Sequence, residues 1–232
     1  MARLKRLLSP NFWKVPKKAS KWTVSPSPGP HKKMESIPLQ IIIHNVLKMT
    51  EKSSESRQLV KRREFLVDGK VRTDSGYPIG MMDVVSVPLI SKNYRLVPSS
   101  KGLTVIEIPD KESGQKLCKI TGKKILRGKK VQINLHDGKN LLVGKDIFNT
   151  GDSVMLEIPG LKILSHIKLE KGSLALITKG KNSGKFAKVK EVIITKSREP
   201  NKVICEIDGK DYAIIKDFIF VVGKDKPQIT LT

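Results

Sequence analysis

Residues 179–185 carry the spacing in this chain that most resembles a catalytic loop. Gly180 and Gly184 flank a short turn among lysines, and glycine backbone with lysine side chains is the usual cradle for phosphate. A nucleotide-binding P-loop needs four residues between its glycines and Ser or Thr after the lysine. Here three residues separate the glycines and Phe186 follows Lys185. The spacing therefore excludes a P-loop. Glycine backbone among lysines still suits a hairpin loop that approaches the phosphates of a nucleic acid, with an ordinary lysine-rich hairpin as the alternative.

No other local motif predicts catalysis. The sequence has no Gly-x-Gly-x-x-Gly run, and no motif places a nucleophile beside a base. The histidines and cysteines do not have the spacing of a metal site. The two distant cysteines exclude a disulfide framework and suit a reducing cytosol. We therefore expect no enzyme, cofactor, metal or small-molecule substrate, although an active site assembled from distant residues stays open. The residues considered are His31, His44, His136, His166, Cys118 and Cys205.

The net charge indicates the partner. The 232 residues include 45 Lys+Arg against 22 Asp+Glu, which gives +23 and a pI near 10.0. Such a surface favours a polyanion, so nucleic acid is the first expectation and an anionic membrane surface the second. The apolar cluster at 37–43 is interrupted by Pro38 and Gln40, and no secretory signal precedes it. We expect a cytoplasmic protein without membrane contact, with an organellar transit peptide as the alternative for the basic N-terminus.

Residues 1–36 are predicted to form a basic arm. They hold nine Lys/Arg, one acid and five prolines, together with the only two tryptophans of the chain. A disordered tail explains the charge, but tails are poor in aromatic residues. We therefore favour an extended arm that orders on RNA. Its candidate RNA contacts are Arg3, Lys5, Arg6, Trp13, Lys14, Lys17, Lys18, Lys21, Trp22, His31, Lys32 and Lys33.

Residues 37–99 are predicted to be a small helical unit with a hairpin. Ser36 is expected to cap a helix that tolerates Pro38 in its first turn, and a second helix starts near Ser53 or Ser54. Asp68-Gly69 predicts a type I′ hairpin, and Val84 to Val87 a further strand. The basic run that ends the second helix, 61–63, suits the helix dipole, which alone could explain it.

The remainder is predicted to be β structure. Short β-rich runs bounded by Gly, Pro or Asp indicate two small barrels or sandwiches, at 100–168 and 169–232. The fold class is therefore α+β and multidomain, but mostly β. The runs lie at Leu103–Ile108, Lys130–Leu135, Leu141–Val143, Val154–Ile158, Leu174–Ile177 and Val203–Ile207.

Two segments resemble known RNA-binding modules. Ser56 to Val60 and then Leu66 to Val71 resemble the small alpha-L RNA-binding domain named after bacterial ribosomal protein S-four, so residues 37–99 are called the alpha-L module below. Gly172 to Val192 resembles a KOW motif, with Ala187 where the family commonly has a second glycine. The resemblance to the alpha-L domain implies RNA contacts by Arg57, Lys61, Arg62, Arg63, Lys70 and Arg72. The resemblance to the KOW motif implies contacts by Lys179, Lys181, Asn182, Lys185 and Lys188.

The order of the segments resembles one family along the whole chain. The segments on which this resemblance rests include Leu4-Lys5-Arg6, Pro28-Gly29-Pro30-His31, Tyr77 to Val84 and Gly180 to Lys185. They resemble the archaeal and eukaryotic small-subunit ribosomal protein S-four-e family, and the short C-terminal tail favours the archaeal form. This resemblance implies a structural constituent of the ribosome that binds small-subunit rRNA beside neighbouring ribosomal proteins and is not a homo-oligomer. A free RNA-binding factor in ribosome assembly or transcription elongation, and an RNA-modifying enzyme, are the alternatives.

Overall fold

The computed structural model describes residues 3–144 and 146–231. Most of the regular structure in these residues is β, which confirms the expected α+β, mostly β class. The strands are β1 (Arg3–Lys5), β2 (Trp22–Val24), β3 (Ile37–Pro38), β4 (Leu66–Val67), β5 (Lys70–Val71), β6 (Pro78–Ile79), β7 (Val84–Val87), β8 (Lys92–Ser99), β9 (Gly102–Ile108), β10 (Gln115–Ile125), β11 (Val131–Leu135), β12 (Asn140–Val143), β13 (Ser153–Glu157), β14 (Ile163–Ile167), β15 (Leu174–Ile177), β16 (Phe186–Ile193), β17 (Lys202–Ile207), β18 (Lys210–Ile215) and β19 (Ile219–Gly223).

Three α-helices are present within the described ranges, and all are short. They are α1 (Leu39–Ile41), which continues into a π-helical turn (Ile42–Val46), α2 (Ser53–Lys61) and α3 (Asp110–Ser113). Short 3₁₀ turns lie at Arg6–Leu8, Asn11–Trp13, Lys33–Glu35, Pro88–Ile90, Arg127–Lys129 and Lys216–Phe218. No helix in the part of the chain described is long and apolar enough to cross a membrane.

The chain divides into two compact units, and the first holds the helices. It comprises the residues up to Val97 together with Lys101–Lys116. Its main sheet has the order β5-β4-β7-β8-β9, beside the pairs β1-β2 and β3-β6. Apolar side chains of both helices and of the sheet share one core, because the helical residues recur on a single face. Its fully or almost fully buried members include Leu39, Ile42, Ile43, Val60, Phe65 and Val85.

The first helix starts later than expected. Pro38 pairs with Pro78 in the β3-β6 ladder instead of opening a helix, and α1 begins at Leu39. Ser36 is not its cap, since the Ser36 hydroxyl donates to the Lys32 carbonyl at 3.0 Å. The cap prediction was wrong because the Ile37-Pro38 pair is used as a strand. The apolar face predicted for the helix is nonetheless buried.

The second helix and the hairpin agree with the predictions. α2 starts at Ser53, and the Glu55 carboxylate in its first turn accepts from the Lys52 backbone N–H at 3.2 Å. β4 and β5 pair across Asp68 and Gly69, whose φ angles of 50° and 70° both lie in the left-handed region. A type I′ turn requires positive φ at both central positions, so the Asp-Gly pair explains this hairpin.

The strand at 102–108 belongs to the sheet of the alpha-L module. β8 and β9 are neighbours in that sheet, and the compact unit continues to Lys116. The sequence predicts a separate β domain from residue 100 onwards. The difference arises because a hairpin connection at 99–102 carries the same turn signals as a linker.

The second unit is built on two five-stranded sheets. It comprises Pro98–Ser100 and Leu117–Thr232, of which the structure describes all but 145 and 232. The sheet orders are β12-β11-β10-β13-β14 and β18-β17-β16-β15-β19. Each sheet buries its own apolar cluster, around Ile120 and Ile133 in the first and around Ala175 and Val189 in the second.

Candidate nucleic-acid interface

Five cations lie on the surface formed by α2 and the hairpin that follows it. Arg57 and Lys61 are four residues apart on α2 and therefore share a helix face. All five side chains are exposed, and none has a described carboxylate within ion-pair distance. Because their charge is not neutralised by the protein, it is available to the phosphates of a ligand. We call this set the module cation cluster; its members are Arg57, Lys61, Arg62, Arg63 and Lys70.

Arg72, the sixth cation expected here, is held by the protein. Its guanidinium lies over the Tyr77 ring, 4.3 Å from the ring centre, and the residue is half-buried. Burial raises the pKa of the Tyr77 hydroxyl, so the ring stays neutral beneath the cation. A cation fixed over an aromatic face can still offer the edge of its fork to phosphate.

A buried ionic cluster fixes the hairpin from beneath. Lys116 is fully buried, and its ammonium contacts Asp68 Oδ2 at 2.7 Å and Asp83 Oδ1 at 2.5 Å. Asp68 Oδ1 also accepts from the Val84 backbone N–H at 3.2 Å, and Asp83 Oδ2 pairs with His31 Nε2 at 2.9 Å. Asp68 is the first residue of the hairpin turn. The cluster therefore sets the position of the turn that presents Lys70.

The neighbours of Asp83 in this cluster keep its carboxyl group ionised. Burial alone would raise the pKa of the Asp83 carboxyl. The ammonium of Lys116 and the imidazole of His31 outweigh that effect, so the pKa of Asp83 lies well below its usual range. Asp83 is thus ionised in the folded protein, with Gly80 donating a further backbone hydrogen bond at 2.9 Å.

The N-terminal residues are folded onto the first unit. β1 and β2 pair antiparallel from Arg3–Val24 to Lys5–Trp22, so this part is a hairpin instead of an extended arm. Trp13 is fully buried and donates from Nε1 to the Ser36 carbonyl at 2.8 Å. The prediction that Trp13 contacts RNA was wrong, since the indole is part of the core.

His31 also lies inside the protein. Its side chain is 6% exposed and is engaged with Asp83, so the prediction of an RNA contact for His31 was wrong as well. Arg6 donates to the Pro16 carbonyl at 3.0 Å, and Lys17 contacts the carbonyl and hydroxyl of Ser9. Trp22 is 41% exposed beside Lys21, whose ammonium lies 5.5 Å from the ring centre. The other candidates of this segment are exposed: Arg3, Lys5, Lys14, Lys18, Lys32 and Lys33.

The loop at 179–185 joins β15 to β16 as expected. The strands pair through Leu174–Lys188 and Ala175–Ala187, and Ala187 is a buried residue within this regular pairing. Gly180 and Gly184 both have positive φ, at 93° and 83°. A Cβ on Gly184 would lie 2.7 Å from the Ser99 backbone, so this glycine allows close packing inside the second unit. Gly180 has nothing within 4 Å and leaves its backbone open to a ligand.

The cations of this loop differ in how far the protein engages them. Lys185 forms an ion pair with Asp208 at 2.8 Å, and Lys179 lies 5.9 Å from the centre of the Phe218 ring. Lys181 and Lys188 are exposed, and no described carboxylate pairs with them. Asn182 is half-buried and accepts from the Lys185 N–H through its carbonyl at 3.2 Å. The loop thus offers fewer uncompensated charges than the module cation cluster.

A metal site does not emerge from this geometry. Within residues 3–144 and 146–231, no group of three or more His, Cys, Asp or Glu side chains is arranged to hold an ion. The cations described above are therefore the chemically distinctive groups of the surface.

Comparison with known families divides the chain in the order found here. Residues 2–34 match the RS4NT domain model, residues 37–85 match the S4 domain, and residues 90–163 match the Ribosomal family S4e model. Small ribosomal subunit protein eS4 of Methanothermobacter thermautotrophicus is 44% identical over 98% of this chain and 95% of its own length. The chain belongs to the eS4 family. The family predicted from the sequence, in its archaeal form, is confirmed.

Other relatives of the eS4 family give the same result. The eS4 protein of Archaeoglobus fulgidus is 43% identical over 98% of this chain and 97% of its own length. Among solved structures, the 30S ribosomal protein S4e from Thermoplasma acidophilum is similar, with a TM-score of 0.72 and 25% identity. The similarity covers 82% of this chain and 96% of that one.

Sequence reasoning missed the buried polar groups of this eS4-family chain. Lys116 was not singled out, nor was Lys119, whose Nζ donates to the carbonyls of Lys216 and Asp217 at 3.1 and 2.9 Å. Burial lowers the pKa of Lys119 to about 8. Arg95 is fully buried and bonds to Glu112 at 2.9 Å. A lysine within an apolar strand sequence indicates a buried ammonium group, but the sequence does not identify the residue that the ammonium bonds to.

Proposed function

We propose that this protein is a structural constituent of the small ribosomal subunit that binds small-subunit rRNA. The observation that carries the proposal is the module cation cluster: five exposed cations in a domain matched to the S4 model, with no described carboxylate to neutralise them. Such cations displace the counterions of closely spaced phosphates, and the rigid module then fixes the position of the RNA. The names of the relatives, all small ribosomal subunit proteins, support the same assignment.

The proposed RNA contacts are the exposed members of the predicted set. The surface positions support them, whereas the buried Trp13 and His31 are omitted. The proposed contacts are Arg3, Lys5, Lys14, Lys18, Lys21, Trp22, Lys32, Lys33, Arg57, Lys61, Arg62, Arg63, Lys70, Lys181 and Lys188. A smaller role is proposed for Arg6, Lys17, Arg72, Lys179, Asn182 and Lys185, because the protein already engages them.

The remaining features of the proposal follow from the family. The protein acts in the cytoplasm beside neighbouring ribosomal proteins, as a single copy, without catalysing a reaction. The parts predicted from the sequence are an N-terminal basic segment (1–36), the alpha-L module (37–99), a central β domain (100–168) and a KOW-type domain with a short tail (169–232). Because Lys101–Lys116 belongs to the first compact unit, we propose that the central domain begins after Lys116. The hairpin at 99–102 ties the second part to the start of the third.

The test is binding of the full chain to a small-subunit rRNA transcript across a salt series. Each lost phosphate contact reduces the slope of log K against log salt by about 0.7 to 0.9. The R57A/K61A/R62A/R63A variant should therefore lower the slope by about three and weaken binding on the order of 100-fold at moderate salt.

A matched control carries the same change in net charge. In K92A/K168A/K190A/K202A each altered lysine is exposed and paired with a carboxylate, so the variant should bind nearly as wild type. The proposed function requires both rRNA binding and association with small subunits. Wild-type protein that fails to bind this rRNA, or that does not co-sediment with small subunits through about 0.5 M salt, would refute it.

A further inference from the structure

The turn between β10 and β11 is strongly basic. Five of the eight residues at 123–130 are Lys or Arg. None of them is among the RNA contacts inferred from the two modules, because the turn lies between those modules in the sequence. We call residues 124–130 the basic turn.

The basic turn stands at the end of the paired strands β10 and β11. β10 pairs with β11 from Gly122–Asn134 to Ile125–Val131, and the Leu126 N–H donates to the Lys130 carbonyl at 2.8 Å. Gly128 lies at its tip with φ of 77°, and a Cβ there would meet nothing within 4 Å. The tip therefore faces open space in a backbone conformation that favours glycine.

Three cations of the basic turn are not neutralised by the protein. Lys124, Arg127 and Lys130 are exposed, and no carboxylate among the described residues pairs with them. Their neighbour Lys123 contacts Asp146. Lys123 thus has an acidic partner, whereas the other three cations have no described acid within ion-pair distance.

The strand face beside the turn carries hydrogen-bonding amides. Lys124 lies opposite Gln132, and Asn134 lies opposite Asn140. Because alternate residues share a face, Lys124, Gln132 and Asn134 lie on the same side of the ribbon. The opposite side holds the buried Val131 and Ile133. Gln132 Nε2 donates to Asn134 Oδ1 at 2.9 Å, which orders the amides on the outer side.

We propose that the basic turn and the amide-bearing outer side of β10 and β11 form a second RNA-binding surface. This inference rests on the proposed function and extends it to the central part of the chain. A guanidinium fork and amide groups both suit phosphate and ribose oxygens, and Gly128 lets the backbone approach the RNA. Lys124, Gln132 and Asn134, which share this face, carry no aromatic ring. The proposed surface therefore contacts the RNA backbone and does not stack bases. Its ligand is a structured RNA recognised by shape, through phosphate and sugar.

The first experiment compares rRNA binding of K124A/R127A/K130A with wild type in the full chain. The altered side chains are exposed, so far-UV circular dichroism and the thermal unfolding midpoint should be unchanged. Loss of three phosphate contacts should reduce the salt slope by about two and weaken binding roughly tenfold to a hundredfold. The charge-matched control is K168A/K190A/K202A, whose lysines pair with carboxylates in the same unit.

The outcomes separate this inference from the proposed function. A turn variant that binds like its control, while R57A/K61A/R62A/R63A binds weakly, overturns the second surface and leaves the proposed function intact. Loss of binding by the turn variant alone or by both variants supports the second surface. Failure of the wild-type chain to bind the transcript overturns both.

A second measurement identifies the class of partner in the ribosome. The two native cysteines, Cys118 and Cys205, are fully buried, so the R127C thiol would be the addressable one among described residues. An aryl azide attached to this thiol in reconstituted small subunits should crosslink to rRNA. Crosslinks to a neighbouring protein alone, or to neither, would overturn the assignment of RNA as the ligand.

Discussion

The first compact unit, which contains the alpha-L module and Lys116, carries positive charge both in its interior and on its surface, with different partners. Lys116 is fully buried against Asp68 and Asp83, at 2.7 and 2.5 Å. The five members of the module cation cluster are exposed, and no described acid pairs with them. Taking a charge out of water is so unfavourable that a buried ammonium needs compensating partners, which for Lys116 are two carboxylates. An exposed lysine has no such need, and its charge remains available to RNA.

The difference separates residues that stabilise the fold from residues that bind the ligand. Substitutions in the interior of the first unit should lower the free energy of unfolding and leave the salt dependence of rRNA binding nearly unchanged. Variants on its surface should leave unfolding unchanged and reduce the salt dependence of rRNA binding. Each prediction below tests whether one position belongs to the inside or to the surface.

The largest effect is expected for K116M. This change leaves two carboxylates buried without their cation, and removing one partner of a buried pair costs about 3–5 kcal/mol. We expect the urea unfolding midpoint to fall accordingly. The exposed-lysine control K111M should stay within about 0.5 kcal/mol of wild type.

A second variant shows whether the loss comes from the stranded acids. In K116M/D68N/D83N neutral amides replace the two carboxylates, so much of the stability lost in K116M should return. If K116M were as stable as K111M, the buried ionic cluster would not stabilise the fold through its charges, and the interior of the first unit would not differ from its surface in this respect.

The two tryptophans near the N-terminus extend the comparison to residues 1–36. Trp13 is fully buried with its Nε1 on the Ser36 carbonyl, whereas Trp22 is 41% exposed. We expect W13A to cost about 3–5 kcal/mol of unfolding free energy, as large aromatic truncations do. W22A should leave stability unchanged and weaken rRNA binding roughly tenfold by loss of base stacking.

Urea denaturation and rRNA titration of both variants distinguish the two roles. W13F, which keeps an aromatic ring but loses the hydrogen bond, should fall between wild type and W13A in stability. Normal stability of W13A together with weak rRNA binding would contradict the buried position of Trp13 and restore the interpretation of an extended arm.

The features that the sequence predicts well are those set by neighbouring residues. Asp68-Gly69 predicts its hairpin because only a few residue types tolerate two positive φ angles. α2 follows from Ser53 and Glu55 at its start. The predicted β runs each contain a strand, since β-branched residues bounded by Gly or Asp are informative within a short window.

The features that it misses depend on distant residues. Lys116 meets Asp68 across 48 positions, and Trp13 meets Ser36 across 23. No local pattern reports such contacts, so the indole of Trp13 and the imidazole of His31 looked like RNA contacts in a basic, proline-rich segment. Composition identifies the ligand class, but burial decides which members of the segment can reach it.

The smallest effects are expected at the 179–185 loop, where the same comparison applies within a few residues. Lys185 pairs with Asp208 at 2.8 Å, while Lys181 is exposed without a described acid. K181A should lower the salt slope of rRNA binding by about 0.8 and the affinity roughly threefold, and K185A should change the affinity less than about twofold.

D208N sharpens this test because it releases Lys185 from its ion pair. If pairing within the protein withholds a cation from RNA, D208N should bind rRNA slightly more tightly than wild type, and K185A/D208N should lose that gain. The exposed Lys202–Glu199 pair provides the control, since E199Q makes the same charge change on an ion pair outside this loop. Equal tightening by D208N and E199Q would mean that net charge acts at long range, and that the pairing of an individual exposed lysine does not decide its contribution to RNA binding.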